Sequence, residues 1–150
     1  MEDSYKIEIT TQSGEKKEFV ILDTAGEEDY QNMIDTWIKV AKGFILVFAI
    51  NDLETFNSLK NIIARIKKNE ADNLPFVLVG NKIDLIHKRE VSAQQANELA
   101  KSIKAKYIET SALKDEDGKV KQAFQECAEM IFSMQKDKGD NGKGCCCNII

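Results

Sequence analysis

The chain has 150 residues, the size of one domain, and its 43% hydrophobic and 31% charged residues exclude a wholly disordered protein. Lys and Arg total 21 against 25 Asp and Glu, and a net charge of −4 is contrary to the basic face needed by a protein that works on nucleic-acid phosphates. The longest uninterrupted apolar run, Phe44 to Ile50, has seven residues where a membrane-spanning helix needs ~20, and Met1-Glu2-Asp3-Ser4-Tyr5 lacks the pattern of a secretory leader, so a cytosolic start is expected.

Tyr5, Ile7, Ile9 and Thr11 alternate with Lys6, Glu8 and Thr10. After the turn Gln12-Ser13-Gly14 comes the run Phe19-Val20-Ile21-Leu22, which predicts a hairpin whose second strand is buried on both faces. Strands and helices then alternate. Gly43 to Ile50 reads as an apolar strand. Asn51-x-x-Glu54 reads as a capping box for a helix of about four turns that turns Phe56, Leu59, Ile63 and Ile66 inward. Pro75 opens the strand Phe76-Val77-Leu78-Val79. Ser92-x-x-Gln95 caps a helix burying Ala96, Leu99, Ala100 and Ile103, and Tyr107 to Thr110 is a short strand. A last helix runs from about Gly118 to Gln135, with Val120, Phe124, Cys127, Ile131 and Met134 on one face, so Cys127 is expected as a small buried hydrophobe. Continuous apolar strands between amphipathic helices imply an α/β fold, a mostly parallel sheet covered on both faces with the hairpin as an antiparallel edge. Residues 136–150 are polar and Gly-rich up to Gly144, which predicts a flexible tether after a domain spanning 1–135.

In such a fold ligands bind beyond the carboxyl ends of the strands, and three loops there carry distinctive residues. They are Asp23-Thr24-Ala25-Gly26-Glu27-Glu28, Gly80-Asn81-Lys82-Ile83-Asp84 and Glu109-Thr110-Ser111-Ala112-Leu113. An ionised Asp84 only accepts hydrogen bonds, which matches the two parallel donors of guanine, N1–H and the N2 amino group, and does not match adenine. Asn81 can donate to the base, Lys82 can lay its aliphatic stem over the ring, and a backbone N–H near Ala112 can reach O6. Asp23, directly after a buried strand, can orient the waters of a Mg²⁺ ion, and Gly26 lets a backbone N–H approach a terminal phosphate. His87, the only histidine, is expected on the solvated surface.

With these loops in this order, the sequence resembles the Ras-type small GTPases from Glu2 to Cys147. The resemblance rests on Asp23-Thr24-Ala25-Gly26, Asn81-Lys82-Ile83-Asp84, Glu109-Thr110-Ser111-Ala112, and the stretches Gly43 to Asn51 and Val77 to Leu85. Leu22, where Rab-like proteins usually have Trp, and the lack of a Rho-type insertion fit the Ras branch best. The resemblance implies a P-loop NTPase-like fold and a GTP-hydrolysing signalling switch that uses GTP, GDP and Mg²⁺. It also implies effector, exchange and activating proteins as partners. Asn81, Lys82, Asp84, Ser111, Ala112 and Leu113 would hold the nucleotide, and Asp23 would hold the metal through water. Glu2-Asp3-Ser4-Tyr5 would be part of the effector loop, and Glu27 to about Trp37 the second switch.

The sequence departs from that pattern in three respects. The first strand, the phosphate-binding loop G-x-x-x-x-G-K-[ST], the following helix and the γ-phosphate-sensing Thr are absent, so an incomplete chain that binds phosphate poorly is expected. The missing strand belongs in the middle of the sheet, and its loss should leave two apolar strand edges unpaired. Glu27 stands where the family has the water-orienting Gln. It can take a proton but cannot donate to the transferred phosphoryl, and repulsion of about 3 kcal/mol opposes its base strength. Leu113 replaces a frequent Lys.

Cys147-Asn148-Ile149-Ile150 has the C-a-a-X form of a prenylation signal, and Cys145 and Cys146 beside it offer acylation sites for the second lipid that stable anchoring takes. The location expected from this is the cytoplasmic face of a membrane, the plasma membrane first. A truncated, non-switching, membrane-anchored binding module with a partial effector surface is the competing expectation.

Overall fold

The fold is seen in a computed structural model that describes residues 2–24, 31–69, 71, 73–137, 139 and 145–149. Six strands form one sheet in the order β1-β2-β6-β3-β4-β5. They are β1 (Glu2–Thr10), β2 (Lys16–Thr24), β3 (Gly43–Ala49), β4 (Phe76–Asn81), β5 (Lys106–Glu109) and β6 (Cys145–Ile149). The helices are α1 (Gln31–Val40), α2 (Leu53–Lys68), α3 (Ala93–Ser102) and α4 (Lys119–Asp137). β2, β6, β3, β4 and β5 are mutually parallel, and β1 is antiparallel to β2 at the edge. This is the α/β sheet with an antiparallel hairpin edge that the sequence predicts.

Alternation along the strands sorts side chains onto two covered faces. Phe44, Leu46 and Phe48 of β3 and Phe76 and Leu78 of β4 join Ile34, Trp37 and Ile38 of α1, Phe56, Leu59, Ile63 and Ile66 of α2, and Ala96 and Ala100 of α3. Ile45, Val77, Val79 and Ile108 face the other way, onto Ala123, Cys127, Ala128, Ile131 and Phe132 of α4. Cys127 is fully buried, as its helical spacing requires. Both faces of β3 are therefore dry, which is why its sequence is apolar without interruption. β2 is less enclosed than expected: Phe19 and Ile21 are buried, while Val20 and Leu22 are half-buried on the opposite face.

One local expectation shifts. The cap of α2 is Asp52 rather than Asn51: its carboxylate accepts from the backbone N–H groups of Glu54 (3.0 Å) and Thr55 (3.3 Å). Asn51 sits one residue too early, just past β3, and its side-chain oxygen is buried with no hydrogen-bond partner among the described residues. The cap of α3 is as read, with Gln95 N–H donating to Ser92 Oγ (3.1 Å) and Ser92 N–H donating to Gln95 Oε1 (2.9 Å).

The larger difference concerns the centre of the sheet and the tail. Two unpaired edges are expected there, and residues 136–150 as a tether. Instead α4 continues to Asp137 and Cys145–Ile149 form β6, which pairs with β2 from Phe19↔Cys145 to Asp23↔Ile149 and with β3 from Gly43↔Cys147 to Ile45↔Ile149. The physical reason is the cost of leaving two rows of backbone N–H and C=O groups unmatched inside a sheet. A parallel strand reached through a preceding helix satisfies both rows, as in an ordinary βαβ crossover.

Candidate functional site

Because β2, β3, β4 and β5 are parallel, Asp23, Ala49, Asn81 and Glu109 all reach the same edge of the sheet. At that edge the loops after β4 and β5 are tied together by side chains. Asn81 Oδ1 accepts from Thr110 Oγ1 (3.1 Å) and from the Ala112 backbone N–H (3.0 Å). Ser111 Oγ donates to Asp84 Oδ1 (2.7 Å) and accepts from Lys114 N–H (3.1 Å). The backbone repeats the link: Ile83 N–H donates to Thr110 O (3.1 Å) and Thr110 N–H to Gly80 O (2.9 Å).

Lys82 lies between Asn81 and Asp84 with φ 67° and ψ 36°, the left-handed conformation that a non-glycine residue adopts at some cost. That bend turns the chain out of β4 into the short 3-10 helix Ile83–Lys88, which places Asp84 beside Ser111 rather than continuing the strand. Asn81 commits its carbonyl oxygen to β5-loop donors, so its amide N–H groups are the part left to donate to a ligand. Asp84 keeps Oδ2 as an acceptor beyond the bond from Ser111 to Oδ1.

The Ala112 N–H, expected to reach the O6 atom of guanine, donates to Asn81, in a bond that lies at the surface. Leu113 is 80% exposed. His87 is exposed in the 3-10 helix.

The other expected residues are more scattered. Asp23 is exposed at the end of β2 with Asp3 directly across in β1, like charges opposite one another that work against the pairing of the strand ends. Glu2 pairs with Thr24 and Ser4 with Leu22 along the same ladder, and Tyr5 is 52% exposed on the outer edge. Gly26 and Glu27 lie outside the described residues. Cys145, Cys146 and Cys147 are in β6. Among the described residues no group of three or more His, Cys, Asp or Glu side chains could hold a metal ion. A groove of about 530 Å³ between Leu74, Pro75 and Ile103 and the Met130–Met134 stretch of α4 opens at the amino end of β4, away from this edge.

Sequence reading misses the layer beneath the loops that follow β4 and β5. Glu109 Oε1 accepts from Tyr107 Oη (2.7 Å) and pairs with Arg89 Nη2 (2.9 Å), while Arg89 Nη1 donates to Val91 O (3.1 Å). Burial, then the bond to Glu109, pushes the Tyr107 hydroxyl well above the usual phenol range, so it remains a donor. Glu90 and Val91 N–H both donate to Ile50 O (2.8 and 3.0 Å), which holds the end of the loop to the end of β3.

Loops tied in this way over the carboxyl ends of parallel strands, with helices on both faces, define an α/β domain of the P-loop NTPase-like class. The chain belongs to the Ras family, whose sequence profile it matches over residues 1–133. It is 42% identical over 113 residues to the Ras-like protein rasS of Dictyostelium discoideum, a match that covers 75% of this chain and 58% of that protein. The chain thus spans less than two thirds of the length of that relative.

Proposed function

We infer that this Ras-family chain recognises guanine nucleotides through the β4 and β5 loops and belongs to a GTP-hydrolysing signalling switch that acts at a membrane. The observation that supports it best is the joining of Asn81 and Asp84 to Thr110, Ser111 and Ala112 at one edge of the sheet. Asp84 would receive the N1–H and N2 amino donors of guanine, Asn81 would donate to the base, and the stem of Lys82 would cover the ring. Asp23 would hold waters of a Mg²⁺ ion delivered with the phosphates, and the metal would supply charge neutralisation there. Glu27 would stand beside the attacking water. Asp3, Ser4 and Tyr5 would meet effectors, and exchange and activating proteins would act on the two switch segments.

The 150 residues contain no G-x-x-x-x-G-K-[ST] segment, and with it go the backbone cradle, the Lys and the Mg²⁺-binding hydroxyl for the β- and γ-phosphates. Nucleotide binding by this chain therefore comes mainly from the base and is weak. Titration with guanosine, GDP and GTP tests this: affinities of similar size, all in the micromolar range or weaker, are expected. Sub-micromolar GTP binding would overturn it. Asp84→Asn should shift preference toward xanthosine, which presents an acceptor where guanosine has its N2 amino donor; an unchanged preference would remove Asp84 from this role.

Membrane attachment would come from prenylation at Cys147, followed by acylation at Cys145 or Cys146, on the cytoplasmic face and at the plasma membrane first. Intact mass of the protein from its own cells is the test. An unmodified Cys147 still carrying Asn148-Ile149-Ile150 would refute it.

A further inference from the structure

The base-facing loops are joined to each other twice, once by the side chains that would face a ligand and once in the layer below. The lower joint is made by residues to which no role has been given: Arg89, Glu109 and Tyr107. Arg89 closes the loop that begins at Lys82, five residues after Asp84. Glu109 ends β5, immediately before Thr110-Ser111-Ala112.

Three features make this joint more than a surface ion pair. The Arg89 and Glu109 side chains are only 19% and 30% exposed, so solvent screening is reduced. A single carboxylate oxygen, Glu109 Oε1, serves both Arg89 and Tyr107, so the carboxylate is held from two directions. Tyr107 is itself fixed: its ring stacks over Phe48 at 6.4 Å, and a Cβ on Gly80 would lie 2.8 Å from its hydroxyl oxygen. Gly80 directly precedes Asn81, so the same hydroxyl packs against the backbone that presents the Asn81 side chain.

We propose that Arg89 and Glu109, buttressed by Tyr107, are positioning residues that set the spacing between Asp84 and the Ser111–Ala112 segment and thereby the selectivity for guanine. The proposal rests on the guanine reading above. A carboxylate that must accept two parallel donors tolerates little displacement, because hydrogen bonds weaken steeply as they lengthen and bend. With the lower joint broken, the ties that remain between the Asp84 loop and the β5 loop include those of Ser111 Oγ to Asp84 and Ile83 N–H to Thr110 O. Base binding would survive, and discrimination would fall.

The test uses the full 150-residue chain in four forms: unaltered, Arg89→Gln, Glu109→Gln and Arg89→Lys. Amide hydrogen exchange is read at Ile83 and Ala112 against Val77 and Leu78 in the sheet, and guanosine is compared with inosine, which lacks the N2 amino group, by NMR titration. In both Gln variants exchange at Ile83 and Ala112 should rise about tenfold over the sheet amides, the size of one charged hydrogen bond. The guanosine-to-inosine preference should fall severalfold, and Arg89→Lys should recover most of both. Exchange that rises equally at all four amides, or an unchanged guanosine-to-inosine ratio in both Gln variants, would overturn the proposal. Absence of any guanosine preference in the unaltered chain would remove the guanine reading instead, and the exchange pattern alone would then decide whether the joint positions the loops.

Discussion

The two ends of the sheet are held together by different means. At the β3-β4-β5 end, neighbouring strands follow one another in the chain, bury apolar side chains on both faces and join their exit loops with side-chain hydrogen bonds. At the β1-β2 end a hairpin pairs with itself and carries exposed ion pairs, Lys6–Glu18 and Lys16–Glu8, each 3.4 Å apart and of the kind that adds little stability. It reaches the rest of the molecule through α4 and through β6. On α4, Ile9 and Phe19 join the cluster of Ala123, Ala128, Ile131 and Phe132, Phe19 meets Phe132 edge-on at 4.9 Å, Gln12 N–H donates to Glu129 Oε1 at 2.7 Å, and Gln125 Nε2 donates to Thr10 O at 3.2 Å. The proposed base site thus lies on the end that is held by its own sequence neighbours, and the hairpin depends on a strand borrowed from the far end of the chain.

Breaking the common core should abolish the distinction. Leu46→Ala, a fully buried side chain in β3, is expected to cost about 2–5 kcal/mol and to lower both ends together in a denaturant titration. Removing residues 145–150 should do the reverse and separate the ends. Amides of β2 should lose protection worth on the order of 2 kcal/mol, the net value of a few backbone hydrogen bonds, while those of β4 keep theirs. Equal loss in β2 and β4 would show that β6 supports the sheet as a whole.

A smaller effect is expected from Gly43→Ala, because an added Cβ would lie 2.8 Å from Ile131 Cδ1 and 3.2 Å from Cys127 Sγ. Overpacking of this kind costs about 1–3 kcal/mol, and Ile131→Val should recover part of it, which a double-mutant cycle measures. Asp52→Ala should cost ~1 kcal/mol through α2 alone. The last effect appears only in alkali. The folded-state pKa of Tyr107 lies above its unfolded value, so its contribution is complete below about pH 10 and is lost as pH rises beyond it. Tyr107→Phe should flatten that alkaline decline in stability, and an identical decline in both proteins would rule it out.

Much of the stable end is legible from local pattern. The apolar runs of β3 and β4 and the helical spacing of Phe56, Leu59, Ile63 and Ile66 mark buried elements from pattern alone. α1 also has its signal, since Ile34, Trp37 and Ile38 recur at helical spacing with Ala41 just beyond, although the resemblance points to a switch there and not to a helix. The exchange of Asn51 for Asp52 as the cap turns on one residue, because both are good capping types and only the backbone exit from β3 selects between them. The Arg89–Glu109 joint has no sequence signature: twenty positions separate its members, and each alone reads as a solvated charge. The placement of β6 is also not legible, since Cys-Cys-Cys-Asn-Ile has no strand alternation and owes its position to a gap between distant elements.

That placement has a consequence for the tail itself. An enzyme that modifies a C-terminal cysteine must take hold of the last few residues as a free extended peptide. In β6 the backbone of these residues is engaged along both edges, to β2 on one side and β3 on the other. Detachment must therefore precede modification. A lipid on Cys147, as proposed, would then act as a latch against return, because strand side chains project onto the faces of the sheet, and these are covered by packed helices with no room for a long alkyl chain. Under the proposed lipid attachment, occupancy of the sheet and anchoring in a bilayer would be alternative fates of the same segment, and whatever stabilises one would draw population from the other.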